Sequence, residues 1–356
     1  MPGRTESRVV GVPRLGSGRR VWLGLLASAA VAVGGATVGV GVAGVAFGHT
    51  GATGATSVGG ATGSTGATLS PYRPPRVKPI FPHPLPGEGV WRPTGPAVDG
   101  GPPVLVTVFR TELDYPRLVA YVAWFDHTRT AIGYYPGRYE PPQATLRGPM
   151  MVPDDQRWRL LATFNGGFTH VDGDNGSTVN GQVNEPLKDG NATLVGYRNG
   201  KINIVNWSGG ANAGSDVAWT RQSLAPIVWN GKLNPELNVN PNSPQWGFTL
   251  GGVTRVWRTG VGVDSHGNLI FVVADDQTVV TLAKILQHVG AVRAMEFDIN
   301  PDWHTLITYA HDHGRLVPKM VEPQPNQSPD RYLVPDDRDF FAVYKRLPGP
   351  ITDPLK

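Results

Sequence analysis

Two carboxylates, Glu296 and Asp298, stand two residues apart in the run Arg293-Ala294-Met295-Glu296-Phe297-Asp298-Ile299. In a strand, the period of two puts Met295, Phe297 and Ile299 on one face and Ala294, Glu296 and Asp298 on the other. The acids then share a face, about 6.6 Å apart at Cα. Like charges held this close raise one pKa and require polar partners, so one carboxyl keeps its proton while the other is charged. A core strand gains nothing from such a pair, whereas the end of a strand that follows a crossover helix is where α/β architectures place chemistry. The same residues also fit a solvated sheet face that ends in a turn at Asn300-Pro301-Asp302. Spacing alone leaves both readings open.

The elements that must hold these acids are legible on either side. Leu269 to Ala274 is a β-branched, aromatic run with strand character, and Thr281 to Ala291 carries Leu282, Ile285, Leu286 and Val289 at helical spacing. Gly290 closes that helix. Val104 to Phe109, Leu118 to Trp124 and Trp158 to Phe164 read as further strands, the last leading into Asn165-Gly166-Gly167-Phe168. Thr193 to Tyr197 and Lys201 to Trp207 flank Arg198-Asn199-Gly200, a hairpin with an asparagine-glycine turn. Asp339 to Tyr344 reads as a final strand, after a proline-rich stretch from Val317 to Pro335 long enough to fold over a site as a lid. One strong helical period and 46 glycines with 33 prolines point to an α+β fold, a mixed β-sheet body with few helices.

The formal charge of +4 is local: residues 1–20 hold five arginines against one glutamate, so the remaining chain is neutral. Without a basic stripe, nucleic acid is not an expected partner. Val21 to Phe47 contains no charged residue, enough chain to cross a hydrocarbon core of about 30 Å. Arginines before it place the N-terminus inside and everything after about Gly48 outside, as a signal-anchor. A cleaved secretory signal is the competing reading, with small residues between Ala43 and Ala52. The expected organisation is a basic cytoplasmic segment at 1–20, a transmembrane anchor at 21–47 and a disordered linker at 48–88. That linker is Gly/Ala/Thr-rich and then proline-rich. A globular body follows at 89–347, and a tail at 348–356. The absence of cysteine excludes disulfides, thiolate nucleophiles and Cys-ligated metals. Oligomeric state leaves no sequence signature here.

No cofactor or metal is expected. His311-Asp312-His313 lacks the helical spacing of a zinc pair, and Asp172-Gly173-Asp174-Asn175-Gly176 departs from an EF-hand in its early glycine and in Val183 at position twelve. A looser cation site at that loop remains open. Walker, Rossmann and Gly-x-Ser-x-Gly patterns are all absent.

Four motifs occur in order. Asn165-Gly166-Gly167-Phe168 ends a strand; Arg221-Gln222-Ser223 precedes Pro226-Ile227-Val228 and Asn230-Gly231; Arg258-Thr259-Gly260-Val261-Gly262 leads into Asp264 and Gly267; Thr281-Leu282-Ala283 precedes Gly290-Ala291 and Asp298. The series resembles the phosphodiester glycosidase family, from Asn165 to Trp303 and more loosely over the whole body. The family's Asp-Gly-Gly-Gly-Ser loop is matched only at Asp298, which is followed by Ile299-Asn300-Pro301-Asp302-Trp303. Proline removes a backbone donor and fixes φ, which puts phosphate binding at that loop in doubt while Asp298 itself is kept.

The resemblance implies cleavage at the anomeric carbon of a sugar phosphodiester, with a carbohydrate or sugar-phosphate as substrate. It implies Asp298 as the carboxylate serving an oxocarbenium-like transition state, with Glu296 as its partner. Arg258 becomes the guanidinium for phosphate oxygens and Arg221 the second. Asn165, Gly166 and Gly167 become donors to hydroxyls or phosphate, Gln222 and Asn300 substrate contacts, and Trp303 a platform for a sugar ring. A non-catalytic relative that binds envelope glycan is the alternative.

Overall fold

The computed structural model describes residues 72–347. The segments read as cytoplasmic, anchor and tail, and the linker up to residue 71, lie outside the described residues. Among the described residues no helix is long and apolar enough to cross a membrane.

Three sheets make up the body. The largest runs, in spatial order, Arg92–Pro93, Val104–Glu112, Tyr115–Phe125, Leu269–Gln277, Val256–Asp264, Ala291–Asp298, Pro226–Trp229 and Lys232–Leu233. A second has the order Gln182–Glu185, Ser177–Val179, Val217–Gln222, Ala192–Tyr197 and Ile202–Asn206. The third has the order Arg315–Met320, Leu306–Asp312, Leu160–Asn165, Phe340–Lys345 and Thr130–Tyr135. The expected mixed sheet is corrected: neighbouring strands among the described residues are antiparallel. The strand–helix–strand unit does join two strands of like direction. The 256–264 strand, however, lies between them and pairs antiparallel with both.

That helix, Val279–His288, begins two residues before the predicted start. Thr278 caps it: its hydroxyl accepts the Thr281 N–H at 3.1 Å, and the Thr281 hydroxyl accepts the Thr278 N–H at 2.8 Å. This reciprocal capping box satisfies two orphan donors. Leu282, Ile285 and Leu286 bury against Ile227, Val228, Ile270 and Val272 on one face of the largest sheet. Each such side chain contributes roughly 1.5–3 kcal/mol. The opposite face packs Phe271, Met295 and Phe297 on Phe164 and Phe341 of the third sheet and on Leu194 and Trp219 of the second. Phe164 stacks on Phe271 and Phe341 with centroids 4.5 and 5.2 Å apart. The ends of all three sheets therefore converge near Asn165, Arg221 and Asp298.

Two other readings change. Residues 72–88, taken as linker, lie on the body: Val77 is buried, its N–H bonds the Gly89 carbonyl, and Tyr72 stacks on His266. The proposed lid divides, with Arg315–Met320 forming an edge strand. Beyond it, Gln324, Gln327 and Arg331 bond the carbonyls of Pro301, Asp302 and Trp303, so this segment braces the loop after Asp298.

Candidate active site

Asp298 ends the 291–298 strand opposite Thr259, where a bulge shifts the register between Thr259 and Gly260. Its N–H is held by the Thr259 hydroxyl at 3.0 Å. The carboxylate is 4 % exposed. One oxygen accepts the N–H groups of Ile299 and Asn300 at 2.7 and 2.9 Å, and the other accepts from Arg338 Nη2 at 2.9 Å. Burial raises the Asp298 pKa, while Arg338 and the two N–H groups pull against it. The loop retains two amide donors here without glycines, and directs both at Asp298 itself.

Glu296 takes a different partner. It pairs with Arg258 at 2.5 Å and is 1 % exposed, with its second oxygen buried and without a hydrogen bond. Burial pushes it up to about 7 against the pull of Arg258, and Asp298 is the smallest contributor to the shift. Arg258 also donates through Nε to the Gln277 carbonyl at 2.7 Å and through Nη2 to the Thr254 carbonyl at 3.0 Å. Each of its three nitrogens makes one of these bonds, which use three of the guanidinium's five N–H groups. The Arg258–Glu296 pair ties the 256–264 strand to the 291–298 strand, and the Arg258 bond to Gln277 ties it to the residues just before the helix.

The Gly166-Gly167 turn is a point of close approach. A Cβ on Gly166 would lie 2.4 Å from the Asp339 carboxylate, and one on Gly167 would lie 3.2 Å from Ser223. Asn165 is committed to the frame: its oxygen accepts the Thr305 N–H, and its amide donates to the Thr259 hydroxyl and the Gly166 carbonyl. Arg221 is fully buried, with Nε on Asp339 at 2.6 Å, Nη2 on the Phe168 carbonyl at 2.7 Å and Nη1 on the Gln222 carbonyl at 2.7 Å. Glu140 lies 3.7 Å from the same Nη2. Gln222 bonds Gly176, Lys188 and Thr193, and so closes a loop rather than facing outward. Asn300 holds the Asp302 N–H at 2.9 Å. Trp303 packs under Arg331 and Arg338, whose guanidinium carbons lie 4.9 and 5.2 Å from its ring centroid.

Three charged residues at this junction were not among the site residues expected from the sequence: Glu140, Arg338 and Asp339, the last named there only as the start of a strand. Arg338 is the telling one. Its Nη2 bridges Asp298 and the Gly167 carbonyl, at 2.9 and 3.0 Å, while its buried Nε has no hydrogen-bond partner among the described residues. The run Asp336-Asp337-Arg338-Asp339 before an apolar strand was visible in the sequence, but nothing there said which motif it would meet. Among the described residues no group of three His, Asp or Glu side chains is placed to hold a metal. In the 172–176 loop Asp172 accepts from the Thr169 hydroxyl, Asp174 pairs with Lys188, and Asn175 accepts the Leu224 N–H.

Among solved structures, the chain is similar to the catalytic domain of zebrafish N-acetylglucosamine-1-phosphodiester alpha-N-acetylglucosaminidase, auto-inhibited by its pro-peptide. That likeness has 16% identity and a TM-score of 0.44, and covers 70% of this chain and 86% of that one. A hypothetical protein from Synechocystis is 13% identical with a TM-score of 0.38, covering 70% of this chain and 63% of the other. An exported protein from Burkholderia pseudomallei is 11% identical with a TM-score of 0.36, covering 64% and 74%. None of the curated proteins compared with the chain matches it. A family model does match, from Arg159, just before the strand that carries Asn165, to Asp298 itself. Residues 159–298, which supply the glycine turn, Arg221, Arg258 and Asp298, match the phosphodiester glycosidase family model.

Proposed function

We propose that the protein hydrolyses a glycosidic bond to a phosphodiester, with Asp298 as the carboxylate at the sugar and Arg338 as the guanidinium at the phosphate. The observation that carries this reading is the Asp298–Arg338 pair, placed at the last residue of the matched domain, with the buried Arg338 Nε unbonded among the described residues. A departing phosphate monoester is a good leaving group, so stabilising its charge matters more than protonating it. A carboxylate that keeps its charge beside the anomeric carbon serves the cationic side of the transition state. Arg258 and Arg221 support the frame.

The N-terminal sequence supports an export reading: a basic segment, an uncharged 21–47 span and a body on the outer side, acting on envelope polymers or sugar phosphates carried there. The test is release of phosphate monoester by the purified full chain from a panel of sugar-1-phosphodiesters. Asp298→Asn and Arg338→Gln are expected to lose at least about 100-fold, the scale of removing one charge-stabilising group. Unchanged turnover in Asp298→Asn would refute the assignment.

One observation favours a second reading, a relative that binds envelope glycan without cleaving it. Both acids are buried in ion pairs, and Pro301 stands in the loop after Asp298. Calorimetric binding of an envelope glycan without release of any product would support that reading over hydrolysis.

A further inference from the structure

The hydrolase reading needs a group to take a proton from water, and the carboxylates nearest Asp298 are ill suited to that. Asp298 accepts three hydrogen bonds across both oxygens. Asp339 is fully buried and accepts from Arg221 Nε at 2.6 Å and Nη2 at 3.4 Å. Glu296 is buried and paired with Arg258.

Glu140 differs. Residues 137–140 run along 336–338, with Arg138 N–H on the Asp336 carbonyl at 2.9 Å and Tyr139 N–H on the Asp337 carbonyl at 3.0 Å. Gly137 permits this approach, since a Cβ there would lie 2.4 Å from the Arg338 backbone. The pairing sets Glu140 beside Arg338, the residue that holds Asp298. One oxygen, Oε1, is fixed by the His170 N–H at 2.8 Å and lies 3.7 Å from Arg221 Nη2. Its second oxygen accepts no hydrogen bond from any described residue. The Gly167 carbonyl joins the two halves, accepting from Arg338 at 3.0 Å and Arg221 at 3.3 Å.

We infer that Glu140 is the general base of this site, a catalytic residue outside the matched domain that rests on the hydrolase reading above. In the step it serves, water oxygen bonds to the anomeric carbon and a water proton passes to Glu140 Oε2. The bond from that carbon to the phosphate oxygen breaks, and its electron pair leaves with the phosphate monoester, whose added charge meets Arg338. Glu140 then returns its proton to solvent. The groups facing Glu140 are Arg221, Asp339, Arg338 and Tyr134, with His170 and its neighbour Glu185 on the other side. Burial raises its pKa, Arg221 opposes, Asp339 adds to the rise, and the His170 N–H and Arg338 oppose.

The test compares wild type, Glu140→Gln and Asp298→Asn on the sugar-1-phosphodiester panel, with and without sodium azide, and identifies products by mass spectrometry. Glu140→Gln keeps the acceptor for His170. It is expected to hydrolyse about 10²–10⁴-fold more slowly. Azide, which needs no proton removed, should restore consumption of the diester and yield a glycosyl azide. Asp298→Asn should show no such rescue. A structural role for Glu140 would give loss without rescue. Hydrolysis by Glu140→Gln within threefold of wild type, or loss that azide leaves unchanged in a folded variant, overturns the inference. Should Glu140→Gln fail to fold, Glu140→Asp keeps the charge against Arg221, and hydrolysis must fall while azide turnover holds. A wild type that cleaves no diester refutes the hydrolase reading itself, a result distinct from either.

Discussion

At the scale of single residues, the junction separates charged groups that hold the frame from those that meet substrate. Arg258 and Glu296 are a buried pair with little exposure on either side. Removing one partner strands the other charge, so Arg258→Met should cost about 3–5 kcal/mol in urea unfolding. Replacing both, as Arg258→Met with Glu296→Leu, should recover most of that loss. Recovery of stability together with retained activity would assign the pair to architecture; loss of activity in the stable double variant would return it to chemistry. Asp298 and Arg338 are also a buried pair, but here hydrolysis should fall by more than the loss of stability accounts for.

At the scale of elements, the 279–288 helix positions the acid-bearing strand by packing on its neighbours. Leu286 is fully buried, and Leu286→Ala should destabilise by about 2–5 kcal/mol, the transfer and cavity terms together. Thr278→Ala removes the cap and should cost about 1 kcal/mol. Urea midpoints at constant m-value would check both. The glycine turn carries its own constraint, because Gly166 lies against the Asp339 carboxylate. Gly166→Ala must displace that carboxylate from Arg221, which predicts a loss of activity out of proportion to the added methyl.

At the scale of the whole molecule, the buried acids make stability depend on pH in an unusual direction. Burial pushes Glu296 up to about 7 and Glu322 up to about 8, from ordinary values of 4.5. The folded state thus binds more protons than the unfolded state between those values. Stability from these groups is fully present below about pH 4.5 and is lost as pH rises through 7 to 8. Glu322 accepts the Leu306 N–H through one oxygen and leaves the other unbonded, so Glu322→Gln preserves the bond and removes the titration. Thermal melts from pH 4.5 to 8.5 should decline less steeply in Glu322→Gln than in wild type, with the variant more stable at the alkaline end. A steeper decline in the variant would contradict the sign.

The sequence by itself determined the elements whose signals are local. The strand–helix–strand unit around residues 269–298 followed from periodicity, and the 192–206 hairpin from its asparagine-glycine turn. The four ordered motifs marked the 159–298 domain. It also put Met295 and Phe297 on a core face, because a strand alternates whatever surrounds it. It misread residues 72–88, where proline-rich composition suggested a spacer but Val77 finds a pocket in the body. Only the tertiary structure decided which charges meet. Glu296 and Asp298 are two residues apart, yet one is paired with Arg258 and the other with Arg338, 40 residues downstream of Asp298. Charge pairing acts through space over a few ångströms and leaves no period along the chain. Glu140, Arg221, Arg338 and Asp339 become neighbours only when the ends of three sheets are brought to one place.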